Sequence, residues 1–147
     1  MLVADASVLV VALADDGPDG DQARARLRGE RVVLPELADL EVVSVLRRQM
    51  AVGTLDARRA DLALDDLAAL PARRAPHRPL LRRCWELRNN LTVYDAAYVA
   101  VAEIMQATLV TADRRLAAAP GPRCTIEILQ PAPVPAPEPP TSGEHGQ

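Results

Sequence analysis

Short apolar runs alternate with longer stretches of helical periodicity from the first residue to about residue 130. Residues 1–4 form an apolar run that ends at Asp5, the pattern of a buried strand. Ser7 can cap a helix running to about Ala14, and Asp15-Asp16-Gly17-Pro18 makes a turn. A polar helix is expected from Asp19 to Arg28, with Gly29 as its stop. Val32–Leu34 has the character of a strand, and Pro35 opens a helix to about Val52, where Gly53 ends it. Thr54 can cap the next helix, which ends near Leu70 ahead of Pro71. Arg73–Ala75 makes a short strand, Pro79 opens a helix ending at Asn89-Asn90, and Thr92 begins another to about Gln106. Thr108–Thr111 is a strand, Asp113–Ala118 a helical stretch and Thr125–Leu129 a last strand. Strands alternating with helices predict an α/β fold with a mostly parallel sheet covered by helices.

The pattern stops after Gln130. Residues 131–147 hold six of the 13 prolines and almost nothing that can pack, so they are expected to form a disordered tail behind a single domain of residues 1–130. The formal charge is −3 for the whole chain; with Glu138 and Glu144 in the tail, the folded body carries −1. Any surface for nucleic acid must therefore come from the arrangement of charge. All 17 basic residues are arginine. The absence of lysine excludes a P-loop and Schiff-base chemistry, and disfavours a response-regulator receiver, whose acidic pocket ordinarily works with a lysine. Cys84 and Cys124 stand apart without metal-ligand spacing, as expected of small apolar residues in a reducing cytoplasm. His77 and His145 are the only imidazoles, too few for a zinc site or a histidine-based triad. The apolar N-terminus lacks a basic flank and is broken by Asp5, so neither a signal peptide nor a membrane span is expected.

Four acids fall where solvation does not account for them. Asp5 follows a strand expected at the sheet centre, and ligand sites of open α/β sheets lie at the carboxyl ends of strands. Its alternative role, capping the next helix, is open to Ser7. Glu41 lies in a helix that is apolar nearly all round and should be largely buried; it shares a stripe with Leu37, Ser44 and Arg48, where pairing with Arg48 is the competing explanation. Asp95 closes a Thr92-x-x-Asp95 string resembling a capping box, at the start of a helix rich in Ala and Val on every side. Asp113 lies two residues beyond a strand, at the same sheet edge as Asp5, and can equally be a turn residue. Gathered together, four carboxylates repel, and a hard divalent cation such as Mg²⁺ or Mn²⁺ resolves the repulsion. Such a centre can activate water for attack on a phosphodiester.

The strings MLVADAS, PELADLEVVSVLRR, LTVYDAAYVAVAE and LVTADRRL, in this order and spacing, resemble the PIN-domain ribonucleases and, more narrowly, the VapC toxins of type II toxin–antitoxin modules. The resemblance spans about residues 1–129. It implies a three-layer α/β/α fold and Mg²⁺- or Mn²⁺-dependent endonucleolytic cleavage of RNA. It implies four catalytic acids, matching Asp5, Glu41, Asp95 and Asp113. Asp5 and Asp95 are expected to contact the metal directly, with Glu41 and Asp113 acting through water or positioning the nucleophile, and Ser7 assisting. It implies a cytoplasmic homodimer held in check by a cognate antitoxin protein. The Pro-rich tail departs from the family pattern without touching a catalytic residue.

Six arginines fall between residues 73 and 88 against one acid, Glu86. Arg73, Arg74, Arg78 and Arg82 are candidates for holding substrate phosphates, although the run can equally be the wet face of a helix. Trp85, Tyr94 and Tyr98 are expected in the core rather than as base-stacking platforms, since the chain has no other aromatic residues to pack. Two rival functions remain. A haloacid dehalogenase-type phosphohydrolase also uses an Asp after its first strand, but needs a second acid where Ser7 stands and a later lysine. A non-catalytic module could use the acids to anchor an arginine-rich partner.

Overall fold

The computed structural model describes residues 1–137. Five short strands are present among them: β1 (Leu2–Ala4), β2 (Val32–Pro35), β3 (Arg73–Ala75), β4 (Thr108–Thr111) and β5 (Ile126–Ile128). They pair in parallel throughout, in the order β3-β2-β1-β4-β5. The central strands read as unbroken apolar runs because both faces are covered. Leu2, Val3, Ala4, Leu34, Leu109 and Val110 are fully buried.

Helices α1 (Ala6–Ala14), α2 (Pro18–Leu27), α3 (Leu37–Ala51) and α4 (Ala57–Ala69) pack around one another on one layer. Helix α6 (Val93–Met105), with α5 (Leu81–Glu86) against it, covers β1, β2 and β4 on the other. A 3₁₀ turn (Arg78–Leu80) leads into α5, and α7 (Arg114–Ala118) packs on β4 and β5. This is the expected three-layer α/β/α architecture. Without phenylalanine the core closes through small residues: Ala96, Ala97, Ala100 and Ala102 of α6 are buried, and Tyr98 is the largest fully buried side chain. Gly20 lets α2 press against the turn after α1; a Cβ there would lie 1.8 Å from the Asp15 carbonyl oxygen.

Several local expectations are corrected. Pro35 ends β2 and α3 starts at Leu37, whose N–H is capped by Nε2 of His77 at 2.9 Å. Asp56 caps α4 by accepting from the Arg59 N–H, while Thr54 donates to the Gln49 carbonyl. Ser7 does not cap α1; Asp5 holds the N-cap position without a side-chain capping bond. Helix α3 is not buried all round. Only Ala38, Val42 and Leu46 are buried, while Leu40, Val43 and Met50 face solvent, because apolar content does not create a packing partner for every face. Of the aromatic residues, Tyr98 is in the core, but Trp85 and Tyr94 are exposed.

Ion pairs join separate elements. Arg26 of α2 reaches Glu127 of β5 through two bonds of 2.7 and 2.9 Å, and Arg83 of α5 reaches Glu103 of α6 through bonds of 2.8 and 3.1 Å. Residues 131–137 are without regular structure and mostly exposed, with the Ala132 N–H donating to Asp19. The rest of the expected tail, 138–147, lies outside the described residues.

Candidate active site

The strand order runs one way from β1 to β2 and β3, and the other way through β4 and β5. The switch between β1 and β4 leaves a crevice at their carboxyl ends, the usual ligand position in such sheets. Asp5 stands there. It is buried, and its backbone N–H donates to the Val110 carbonyl at 2.9 Å. Its Oδ2 accepts two hydroxyl bonds, from Ser7 Oγ and from Thr111 Oγ1, each 2.8 Å long. Among the described residues Oδ1 accepts no hydrogen bond.

The same two hydroxyls tie down the segment after β4. Ser7 Oγ accepts from the Ala112 N–H at 3.1 Å, and Thr111 Oγ1 accepts from the Asp113 N–H at 3.0 Å. Asp113 caps α7, its Oδ1 accepting from the Arg115 N–H at 2.8 Å. Partial burial raises its pKa, but the Arg115 N–H and guanidinium and the Leu116 amide outweigh that, and the carboxyl is held low.

Glu41 comes from the middle of α3 and Asp95 from the first turn of α6. Oε2 of Glu41 accepts from the Tyr98 hydroxyl at 3.3 Å. Burial, then the charge of Asp5, pushes the Glu41 pKa up to about 7; Tyr98 lowers it and Asp95 raises it further. Burial also raises the Asp95 pKa, helped by Asp5 and Asp113 and opposed by Thr92 and Arg115. The capping half of the Thr92-x-x-Asp95 string is formed as well, the Asp95 N–H donating to Thr92 Oγ1 at 3.1 Å. Tyr98 is fully buried, and burial together with the Glu41 charge keeps it protonated as a donor.

The fold therefore brings all four acids within electrostatic reach, with Asp5 affecting both Glu41 and Asp95, and Asp95 affected by Asp113. Among the described residues, however, no three His, Cys, Asp or Glu side chains converge tightly enough to form a ready-made metal cage. The donor set nonetheless suits a hard divalent cation: the donors are all oxygen, and two are protonated more readily than usual partly because their neighbours' charge is uncompensated.

The arginine run scatters. Arg74 is 23% exposed and is held by Asp39 and by the carbonyls of Leu67, Leu70 and Ala72. Arg73 lines a pocket together with Ile104 and Met105, at the opposite end of α6 from Asp95. Arg78 and Arg82 are exposed on the 3₁₀ turn and α5. A groove of about 550 Å³ beside the acids is lined instead by Arg88, Asn89, Asn90, Asp95, Asp113 and Arg115. Thr111, Tyr98 and Arg115 also belong to the site, though no local pattern singles out Thr111 or Arg115 as such. Tyr98 carried a usable signal, since it lies one helical turn beyond Asp95 on the same face. Thr111 ends the strand beside β1, but its pairing with Asp5 spans 106 residues.

The family pattern described as "PIN domain" matches residues 2–122, more than half of the chain. The chain belongs to the PIN domain family. Among its curated relatives are ribonuclease VapC9 of Mycobacterium tuberculosis, 42% identical over 132 residues that cover 88% of this chain and 98% of the relative. Ribonuclease VapC1 of the same organism is 41% identical over 129 residues, covering 87% and 97%. This PIN domain is thus closely related to mycobacterial VapC toxins, and the dehalogenase-type alternative falls. Its backbone matches the crystal structure of PAE2754 from Pyrobaculum aerophilum at a TM-score of 0.63 with 26% identity, covering 87% of this chain and 83% of that one. It also matches VapC20 of M. tuberculosis, a sarcin-ricin loop cleaving toxin, at 0.64 with 16% identity, covering 80% and 94%; that likeness concerns the fold. Among the described residues no helix is long and apolar enough to cross a membrane.

Proposed function

We propose that this PIN domain is a Mg²⁺- or Mn²⁺-dependent endoribonuclease, the toxin of a type II toxin–antitoxin module, working as a cytoplasmic homodimer restrained by a cognate antitoxin. The observation that carries the reading is Asp5, buried at the switch between β1 and β4 and held by Ser7 and Thr111 amid three further acids. Asp5 and Asp95 would hold the ion, with Glu41 and Asp113 acting through water. Bound there, the ion supplies Lewis acidity toward the phosphoryl group and lowers the pKa of a neighbouring water.

The chain's own side chains do the rest. Ser7 and Thr111 fix one oxygen of Asp5 and leave the other for a ligand. Glu41, with one oxygen occupied by Tyr98 and a carboxyl titrating near 7, is suited to accept a proton from attacking water at its other oxygen. Arg88 and Arg115 line the groove and can hold phosphates, while Arg78 and Arg82 are exposed and free to meet a longer strand away from it. Arg73 and Arg74 stand apart from this groove, Arg74 held by Asp39 and three backbone carbonyls. The unit proposed to carry the activity is residues 1–130.

Incubation of the pure protein with a mixed RNA pool tests the reading. Cleavage is expected with Mg²⁺ or Mn²⁺ and not with EDTA, and sequencing RNA ends in cells expressing the wild type against Asp5→Ala should show defined new ends only for the wild type. Full cleavage by folded Asp5→Ala, or cleavage that persists in EDTA, defeats it.

A further inference from the structure

Trp85 and Arg88 are not absorbed by the acidic site. The chain's single tryptophan is 60% exposed at the end of α5, an unusual place for its largest apolar side chain. The Arg88 guanidinium lies over the indole, 4.5 Å from the ring centroid, and is fixed by a 2.8 Å bond from Nη1 to the Trp85 carbonyl. Arg88 also lines the groove that holds Asp95 and Asp113. The aromatic platform is therefore joined to the acids by one side chain.

We propose that Trp85, Arg88 and the Asn89-Asn90 turn receive an unpaired segment of the RNA strand, stacking a base on the indole and leading the adjoining phosphates toward Asp95 and Asp113. The inference rests on the ribonuclease reading and adds a binding subsite outside the acidic centre, a base-stacking platform at the end of α5. Three features point to it. Stacking on an aromatic platform needs a base free of its own helical neighbours, which a duplex does not offer. Asn89 and Asn90 are exposed in the groove, and their amides can both donate to and accept from a base edge. Arg88 and Arg115 flank the path, and Arg115 is 93% exposed with only a 3.5 Å pair to Asp113, so it can turn to a phosphate. Those two guanidiniums favour a polyanion over an arginine-bearing protein segment.

Because Trp85 is the only tryptophan, its emission reports the contact directly. The full chain carrying Asp95→Asn, with Mg²⁺ present, is titrated with an unstructured single-stranded oligoribonucleotide and with a duplex of equal length. Saturable quenching is expected with the single strand and much less with the duplex. Adding Trp85→Ala should weaken single-strand binding by about tenfold, measured by anisotropy of a labelled strand, and Trp85→Phe should restore most of it. In the chain with Asp95 intact, Trp85→Ala should raise KM for the same strand while kcat changes little. Unchanged emission on a bound strand, or unaltered affinity of Trp85→Ala, overturns the proposal. So does loss of antitoxin binding alone, which would make the surface a protein interface. If the wild type cuts RNA while Trp85→Ala binds as tightly as its parent, only this inference falls. If the wild type neither binds nor cuts RNA, the ribonuclease reading falls with it.

Discussion

One oxygen of Asp5 accepts both the Ser7 and the Thr111 hydroxyl, so the carboxylate is oriented before any ligand arrives. Thr111→Val keeps the shape of a fully buried side chain and deletes one of those donors, together with the acceptor for the Asp113 N–H. It should cost about 1–3 kcal/mol in a denaturant melt and lower cleavage by about 10- to 100-fold, as for other groups that orient ligands. Wild-type rates in Thr111→Val would remove the orienting role. Asp95→Asn preserves size and removes a charge, so cleavage should drop by orders of magnitude with the fold kept; a folded variant that cuts fully would overturn its assignment. Glu41 gives a pH signature. Its folded pKa of about 7 exceeds the ordinary value of 4.5, so between these the folded state binds the proton more strongly than the unfolded chain. Stability of the metal-free protein should therefore fall as pH rises from 4.5 to about 7. Glu41→Gln should flatten that dependence and raise Tm at pH 8; an unchanged profile would show that Glu41 is not the responsible group.

Strands and helices were legible because each has its own periodicity and its own punctuation. Val32, Val33 and Leu34 announce a buried strand, and Gly29 and Gly53, both at positive φ, close the helices before them. Asp5, Glu41, Asp95 and Asp113 were legible as acids in apolar surroundings. What could not be read were partnerships across long sequence separations. Arg74 looked like a phosphate ligand in a basic run, yet it closes the α4–β3 connection by bonding Asp39 and three carbonyls. His77, from beyond β3, caps α3 forty residues earlier in the chain, which no local pattern encodes. Trp85 reads as a core residue because the chain has no other aromatic residues to pack beside the two tyrosines, whereas Ala-rich α6 fills its layer without it. At this scale the test is Arg74→Ala, which strands those carbonyls. It should destabilise by about 1–3 kcal/mol, while Arg78→Ala, an exposed change, should stay within about 0.5 kcal/mol. Equal melts for the two variants would return Arg74 to the surface.

At the scale of the whole molecule the unfinished feature is the outer face of α3. The helix docks through Ala38, Val42 and Leu46, and its opposite side carries Leu40, 74% exposed, Val43, 40%, and Met50, 42%, followed by Val52 at 74%. Leu40, Val43 and Met50 recur at spacings that place them on one side of a helix, with Arg47 between them. An apolar stripe of this kind on a small body is commonly closed by a second copy, and a two-fold pair uses the same stripe twice. Light scattering at micromolar concentration should therefore give about twice the 15.8 kDa chain mass. Leu40→Glu combined with Val43→Glu should yield a folded monomer, because neither side chain is buried in its own subunit, with a Tm below that of the paired wild type. Since Glu41 sits between Leu40 and Val42 on the same helix, the stripe and the acidic crevice are rigidly linked, and loss of the pair should lower cleavage without unfolding the chain. A wild type that is monomeric and fully active would leave the stripe without this role.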